Sequence, residues 1–323
     1  MKRIGVLTSG GDNPGLNPCI RAAVRMGIHL GVEVMGIRRG YAGLIDGEMD
    51  QMTARSVGGI ISQGGTILGT DRCPEFYEEH GRREALRTLN RFEIEGLVVI
   101  GGNGSLTGAL ELSRMGFPTV GVPSTIDNDV NGTDISIGVD TALDTILDAV
   151  DKIKDTATSH NRAFLVETMG RNSGYLALVS GIAGGAEMVL IPEVETPFEE
   201  IHKLIEGAYV RGKPHCIIIV AEGWKPGTDA LAAQLREHQD DLGFSVRLTR
   251  LGYVQRGGSA SSFDRLLATR LGAAAVRELT AGHGGHIVGW IKNAVSLTPL
   301  EEAVAFQKEI DHDLCELAEI MSI

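Results

Sequence analysis

Three times between Ile4 and Asp129 a short apolar run breaks into a loop. Ile4-Gly5-Val6-Leu7-Thr8 runs into Ser9-Gly10-Gly11-Asp12-Asn13-Pro14-Gly15. Glu95-Gly96-Leu97-Val98-Val99-Ile100 opens into Gly101-Gly102-Asn103-Gly104-Ser105, and Thr119-Val120-Gly121-Val122 is followed by Pro123-Ser124-Thr125-Ile126-Asp127-Asn128-Asp129. Brief apolar runs bounded by turn residues read as buried strands, and helix-period segments between them demand a parallel sheet. Right-handed crossovers then bring the three loops to one edge of that sheet, the C-terminal edge where open α/β folds bind ligands. This pattern restricts the chain to the α/β class.

The third loop carries the most chemistry. Pro123 ends its strand, because proline has no N–H to give the ladder. Two carboxylates and a hydroxyl then fall close together, at Thr125, Asp127 and Asp129. One carboxylate suits a general base toward an attacking hydroxyl, and the other suits a hydrated Mg²⁺. The plainer reading is an Asp/Asn-rich turn. The first loop, with its paired glycines before a helix bearing Arg21 and Arg25, offers backbone N–H groups and a helix N-terminus to a phosphate, or is a tight βα turn with no ligand. Its glycine spacing is neither a Walker A loop nor a dinucleotide fingerprint.

Further strands are expected at Val32–Ile37, Ala163–Glu167, Met188–Ile191 and Cys216–Val220, with His286–Trp290 as an edge strand. Helices are expected from about Glu78 to Arg91, from Asp140 to Thr156, from about Asn172 to Gly181, and after Thr298. Gly64–Arg72 forms another glycine-punctuated loop ending in an arginine. Two such α/β blocks imply two domains, at 1–138 plus about 255–305 and at 139–254 plus about 306–323, with a cleft between them.

Composition removes other classes. A net charge of −12 over 323 residues argues against nonspecific nucleic-acid or membrane-surface binding. No apolar run reaches the length of a membrane span. The four cysteines lack CxxC spacing, which fits reduced thiols in a cytoplasmic protein. The nine histidines form no HExxH pair, so the spacing gives no zinc motif.

Gly10-Gly11-Asp12…Pro14-Gly15…Asn17, Gly101–Ser105, Thr125–Asp129, Met169-Gly170-Arg171 and Gln255-Arg256-Gly257-Gly258, taken together and in order, resemble the bacterial ATP-dependent 6-phosphofructokinase family along essentially the whole chain. The resemblance implies two similar Rossmann-like domains, a homotetramer with sugar-phosphate sites shared between subunits, and transfer of a phosphoryl group from Mg²⁺-ATP to the 1-hydroxyl of fructose 6-phosphate. It implies Asp127 as general base, and Arg72 and Arg171 as cations that offset transition-state charge. Thr125 and the Gly11 N–H then attend the transferred group, and Asn103 and Asp129 attend Mg²⁺. Tyr41, Arg72, Cys73, Arg82, Gly102, Gly104, Ser105 and Gly108 line the implied nucleotide site. Met169, Gly170, Glu222, Tyr253 and Arg256 hold the sugar phosphate, with Arg162 and Arg247 reaching a neighbouring subunit's substrate. Arg21, Arg25, Lys154, Glu187, Arg211 and Lys213 match or conservatively replace the residues of an effector site for ADP or phosphoenolpyruvate, although Ala54 stands where that site has arginine.

Two further positions depart from the pattern. Asn103 replaces an aspartate and removes a charge from the Mg²⁺ ligands, and Tyr253 replaces a histidine on the 6-phosphate. Gly104 and Ser124 favour ATP, because pyrophosphate users carry aspartate and lysine there. The rival readings are a pyrophosphate-dependent or different-sugar kinase and a non-catalytic regulatory paralogue. A dinucleotide oxidoreductase is weaker still, lacking its glycine motif.

Overall fold

The computed structural model describes residues 1–321. Its strands are β1 (Arg3–Thr8), β2 (Glu33–Ile37), β3 (Met49–Met52), β4 (Leu97–Gly101), β5 (Thr119–Pro123), β6 (Arg162–Thr168), β7 (Met188–Leu190), β8 (Cys216–Ala221), β9 (Ser245–Arg250), β10 (His286–Ile291) and β11 (Ala294–Pro299). The chain divides into two compact units. One is Met1–Thr141 with Arg256–Lys308; the other is Ala142–Gln255 with the chain from Glu309 onward.

The first unit holds a seven-stranded sheet in the order β11-β10-β5-β4-β1-β2-β3. β10, β5, β4, β1 and β2 run parallel, while β3 and β11 are antiparallel edges. Both faces are covered, so its central strands read as unbroken apolar runs rather than alternating ones. Ile4, Val6, Val98, Ile100, Val120 and Val122 pack on one face beneath helices Leu16–His29 and Ser262–Thr280. Leu7, Leu97 and Val99 point to the other face, toward helices Glu79–Arg91, Asn103–Arg114 and Leu300–Ala305. The two covering helices on the first face approach closely at Gly272, where a Cβ would stand 2.6 Å from the Cys19 carbonyl.

The second unit has four parallel strands in the order β7-β8-β6-β9. Leu165, Ile218, Val220 and Val246 pack on Ile201 and Ile205 of helix Phe198–Val210 and on Leu231 and Leu235 of helix Thr228–Glu237. Helix Tyr175–Gly184 lies against β7, its Gly181 set so closely on Val189 that a Cβ would come within 2.2 Å. The two sheets flanked by helices make the α/β class expected from the sequence.

Several local expectations change. His286–Ile291 is not an edge strand: it pairs with β5 on one side and β11 on the other. The helix expected from Asn172 to Gly181 spans Tyr175–Gly184 instead, because Gly185, at φ +60°, supplies the left-handed cap and Gly181 serves as a packing contact inside the helix. The helix expected at Asp140–Thr156 runs longer, over Val139–His160. The single terminal helix is two, Leu300–Ala305 and His312–Met321.

Candidate active site

β1, β4 and β5 are parallel neighbours, so the three loops read from the sequence leave one edge of the first sheet together. Buried hydrogen bonds tie them. Gly101 lies so near Ser9 and Ser105 that a Cβ would stand 2.5 Å from the Ser9 carbonyl and 2.6 Å from Ser105 Oγ. The Ser9 N–H donates to the Ile100 carbonyl at 3.1 Å, and the Ser124 N–H to the Gly101 carbonyl at 3.0 Å. Ser124 Oγ, fully buried, donates to Asn13 Oδ1 at 3.1 Å, joining the third loop to the first. Asn17 donates to the Gln63 and Gly64 carbonyls and accepts the Ile67 N–H at 2.8 Å, drawing in the Gly64–Arg72 loop. Thr70 Oγ1 donates to the Gly10 carbonyl at 2.7 Å.

Asp127 is 8% exposed, and its own N–H donates to Thr125 Oγ1 at 3.2 Å. Asn128 adopts φ +50°, the left-handed region where asparagine is tolerated. Its side chain fixes that turn: Oδ1 accepts the Ser136 N–H at 2.9 Å and Nδ2 donates to the Asp134 carbonyl at 3.3 Å. The loop closes on itself, with Ile137 N–H donating to the Pro123 carbonyl at 3.2 Å. Behind it sits Asp264, fully buried, which accepts Gly138 N–H, Thr141 N–H and Thr141 Oγ1–H at 2.8, 2.8 and 2.6 Å. Burial pushes the Asp264 carboxyl above its ordinary pKa, and the bonds from Thr141 and Gly138 oppose that rise.

Asn103 begins helix Asn103–Arg114 and aims at the third loop, its Nδ2 donating to the Asp129 carbonyl at 3.2 Å. Its Oδ1 is buried and has no hydrogen-bond donor among the described residues. A buried oxygen left without a donor beside the Asp129 loop is a donor set of the hard kind that fits Mg²⁺. At Gly104 a Cβ would meet nothing within 4 Å, so packing does not demand glycine there and the space above the helix start is open. Arg256 lies over Gly11: a Cβ at that glycine would stand 3.1 Å from Arg256 Nη1. Arg72 is exposed at the end of its loop.

The other residues expected to line a nucleotide site are structural or engaged. Tyr41 is buried, its ring stacked on Phe76 at 3.9 Å and its hydroxyl donating to the Ser105 carbonyl at 2.6 Å. Gly108 is where that ring packs, since a Cβ would come within 2.7 Å of it. Arg82 donates to the Tyr77 carbonyl at 2.5 Å and faces Glu111 at 3.7 Å. Cys73 is half-buried, and burial raises its thiol pKa.

In the second unit, the turn after β6 is shaped by a single carboxylate oxygen. Glu222 Oε1 accepts Gly170 N–H at 3.3 Å and Arg171 N–H at 2.8 Å. Gly170, at φ +142°, could not carry a side chain, and Arg171 follows at φ +52°. Gln255, fully buried, accepts the Met169 N–H at 3.1 Å and donates to the Gly252 carbonyl at 2.9 Å. β6 and β9 pair with Arg162 opposite Ser245 and Phe164 opposite Arg247. The period-2 pleat therefore sets Arg162 and Arg247 on one face of this sheet. Tyr253 is 79% exposed.

Of the residues assigned to an effector site, Glu187 and Lys213 form a pair at 3.5 Å, and Glu187 also accepts the Ile217 N–H at 2.6 Å. Lys154 Nζ donates to the Gly184 carbonyl, and Arg211 caps helix Phe198–Val210. Arg21 and Arg25 stand one turn apart on helix Leu16–His29. Sequence reasoning missed Asn13, Asn17, Asn128, Asp264 and Gln255 as the groups that hold the loops. Most of their partners are distant in sequence, up to 126 residues away for Asp264, although those of Asn128 lie six and eight residues on.

A model of the phosphofructokinase family matches residues 3–279. The chain is 52% identical over 323 residues to the ATP-dependent 6-phosphofructokinase of Halalkalibacterium halodurans, covering all of both chains. Among solved structures, phosphofructokinase from Saccharomyces cerevisiae superposes with a TM-score of 0.87 at 38% identity; the match takes in all of this chain but spans 48% of the yeast one. The pyrophosphate-dependent phosphofructokinase of Marinobacter aquaeolei gives the same TM-score at 21% identity, covering 100% of this chain and 92% of that one, a likeness of fold alone. On the family match and the full-length identity, this chain belongs to the phosphofructokinase family.

Proposed function

We propose that this chain transfers the γ-phosphoryl group of ATP to the 1-hydroxyl of fructose 6-phosphate, giving fructose 1,6-bisphosphate and ADP. The observation that carries the reading is Asp127: a buried carboxylate at the C-terminal edge of a parallel sheet, on a loop locked to two glycine-opened loops. Phosphoryl transfer needs little covalent help from a protein and draws most of its catalysis from positioning and charge stabilisation.

Asp127 accepts the proton of the sugar hydroxyl, and Thr125 and the Gly11 N–H orient the transferred group. Asn103 Oδ1 and the Asp129 carboxylate would hold Mg²⁺, which when bound neutralises charge on the donor phosphates. Arg72 and Arg171 supply fixed positive charge, and Arg256 adds more beside Gly11. Met169, Gly170, Glu222 and Tyr253 bind the sugar phosphate, while Arg162 and Arg247, sharing one sheet face, reach the 6-phosphate of a neighbouring subunit in a homotetramer. The open space at Gly104 supports a nucleotide donor. Ser124 supports the same choice, because a lysine there would displace the buried bond to Asn13. Arg21, Arg25, Lys154, Glu187, Arg211 and Lys213 form the effector site for ADP or phosphoenolpyruvate. The four cysteines are free thiols, which supports a cytoplasmic protein.

The test is a coupled assay of the purified chain with Mg²⁺ and fructose 6-phosphate, run in parallel with ATP and with pyrophosphate. Product from ATP alone is the expected result. Product from pyrophosphate alone would overturn the argument from Gly104 and Ser124, and no product from either would overturn the substrate.

A further inference from the structure

Away from the phosphate loops, the second unit brings together three metal-ligating side chains. His202 stands half-buried on helix Phe198–Val210. His238 closes helix Thr228–Glu237, and Asp241 lies in the short turn of helix that follows. One ligand atom from each lies within 4.8 Å of the others. The two imidazoles stand perpendicular with centroids 5.8 Å apart, and both pack against Phe198, at 6.0 and 5.7 Å. That ring gives the pair an apolar flank. One helical turn beyond His202, the Glu206 carboxylate comes to 4.0 Å from its Nδ1, where it serves as a fourth ligand or orients the imidazole.

We propose that His202, His238 and Asp241 form a binding site for a zinc-type divalent transition ion, one that clips helix Phe198–Val210 to the corner after helix Thr228–Glu237. Two imidazoles and a carboxylate suit Zn²⁺ and its neighbours in the first transition row, whereas Mg²⁺ prefers oxygen alone. The ion is therefore different in kind from the one that serves ATP. Bonds of about 2.0–2.1 Å place tetrahedral ligand atoms roughly 3.3–3.5 Å apart, so closure from the present spacing takes only side-chain rotation at His238 and Asp241, both exposed. The 35 residues between His202 and His238 explain why no spacing motif announces the site.

The experiment uses the full chain, free of any affinity tag and stripped of metal. Co²⁺ is titrated first for its visible absorption, then Zn²⁺ by calorimetry, with the thermal midpoint followed in parallel. One ion per chain, Zn²⁺ displacing Co²⁺, and a midpoint that rises with Zn²⁺ are the expected results. His238→Gln and Asp241→Asn should each lower the affinity at least about tenfold, since even outer-shell partners of a metal site are worth roughly 10–100-fold. Far-UV circular dichroism of both variants should match the parent, because the two side chains are exposed. No saturable binding would overturn the proposal, as would binding that both variants retain at parental affinity, since the ion would then sit elsewhere.

Discussion

The two units hold their functional groups by different means. In the first, nearly every pin is a buried neutral amide or a backbone group: Asn13, Asn17, Asn103 and Asn128 bond across loops that the sheet delivers to one edge. Asp264, behind the third loop, is a buried carboxylate among these pins. In the second, an exposed carboxylate, Glu222, joins the buried Gln255 in shaping the turn after β6, and cations stand on an exposed edge strand. The first unit thus ties its loops together through buried bonds, the kind of positioning that a base and a phosphoryl group require. The second is expected to present charge to a phosphate, where a long arginine side chain can adjust its placement while its planar fork makes bidentate bonds. Damage to the first should appear in turnover or folding, and damage to the second, Arg171 aside, in substrate affinity.

The largest expected effect tests the first half of that contrast. Asp127→Ser should lower kcat by about 10²–10⁴-fold, the worth of a positioned general base, with KM for fructose 6-phosphate little changed. A loss confined to KM in steady-state kinetics would break the contrast. Next comes Asp264→Ala, which leaves Gly138 N–H and both Thr141 donors without their acceptor. Each buried unsatisfied group costs about 1–3 kcal/mol, and some of the three will recruit water, so a loss of about 2–4 kcal/mol is expected in urea unfolding with an unchanged slope. A change within the range of a surface substitution would show that the pins do not set the loop.

In the second unit, Arg247→Ala should raise KM for fructose 6-phosphate by about 10–100-fold, the scale of a hydrogen bond to a charged group, while kcat is largely kept. An equal loss in kcat would place Arg247 among the groups that act in the transition state. A smaller effect belongs to Asn103→Asp. The amide that donates to the Asp129 carbonyl becomes an oxygen that faces it, a geometry that a bound cation relieves. The Mg²⁺ concentration for half-maximal rate should fall by about 3–10-fold, since hard cations prefer carboxylate; an unchanged Mg²⁺ titration would remove residue 103 from the metal site. Smallest is Tyr253→His, expected to lower KM for the sugar phosphate about 2–5-fold below pH ~6.5, where the imidazole is charged. A flat KM across pH would take position 253 off the phosphate.

The glycine loops and the central strands were legible in the sequence because each is local: an apolar run, a turn residue, a helix. β3, β9 and β11 were not seen. All three are edge strands: Asp50 and Gln51 face solvent on β3 and Arg247 and Arg250 on β9, while on β11 Val295 and Leu297 are exposed and alternate with Ser296 and Thr298, so none carries an unbroken apolar run to mark it. β10 was legible as a strand but not as an interior one, because its outer neighbour β11 was invisible. In the site, Asp127 and Asp129 stand out by chemistry, whereas Asp264 lies outside every motif, in the first turn of helix Ser262–Thr280. Only the fold reveals that its carboxylate faces inward onto Thr141.

The sheet order has one more consequence, for the birth of the chain. β5 carries the loop with Asp127, and one of its two neighbours is β10. Roughly 160 residues separate the two strands, which at about 5–20 residues per second amounts to about 8–30 s of synthesis. Throughout that interval Thr119–Pro123 has a bare flank, an apolar ribbon of unpaired N–H and C=O groups of the kind that recruits stray strands. The loop expected to do the chemistry therefore acquires its final support only after those residues have been made, and until then its strand is open to mispairing.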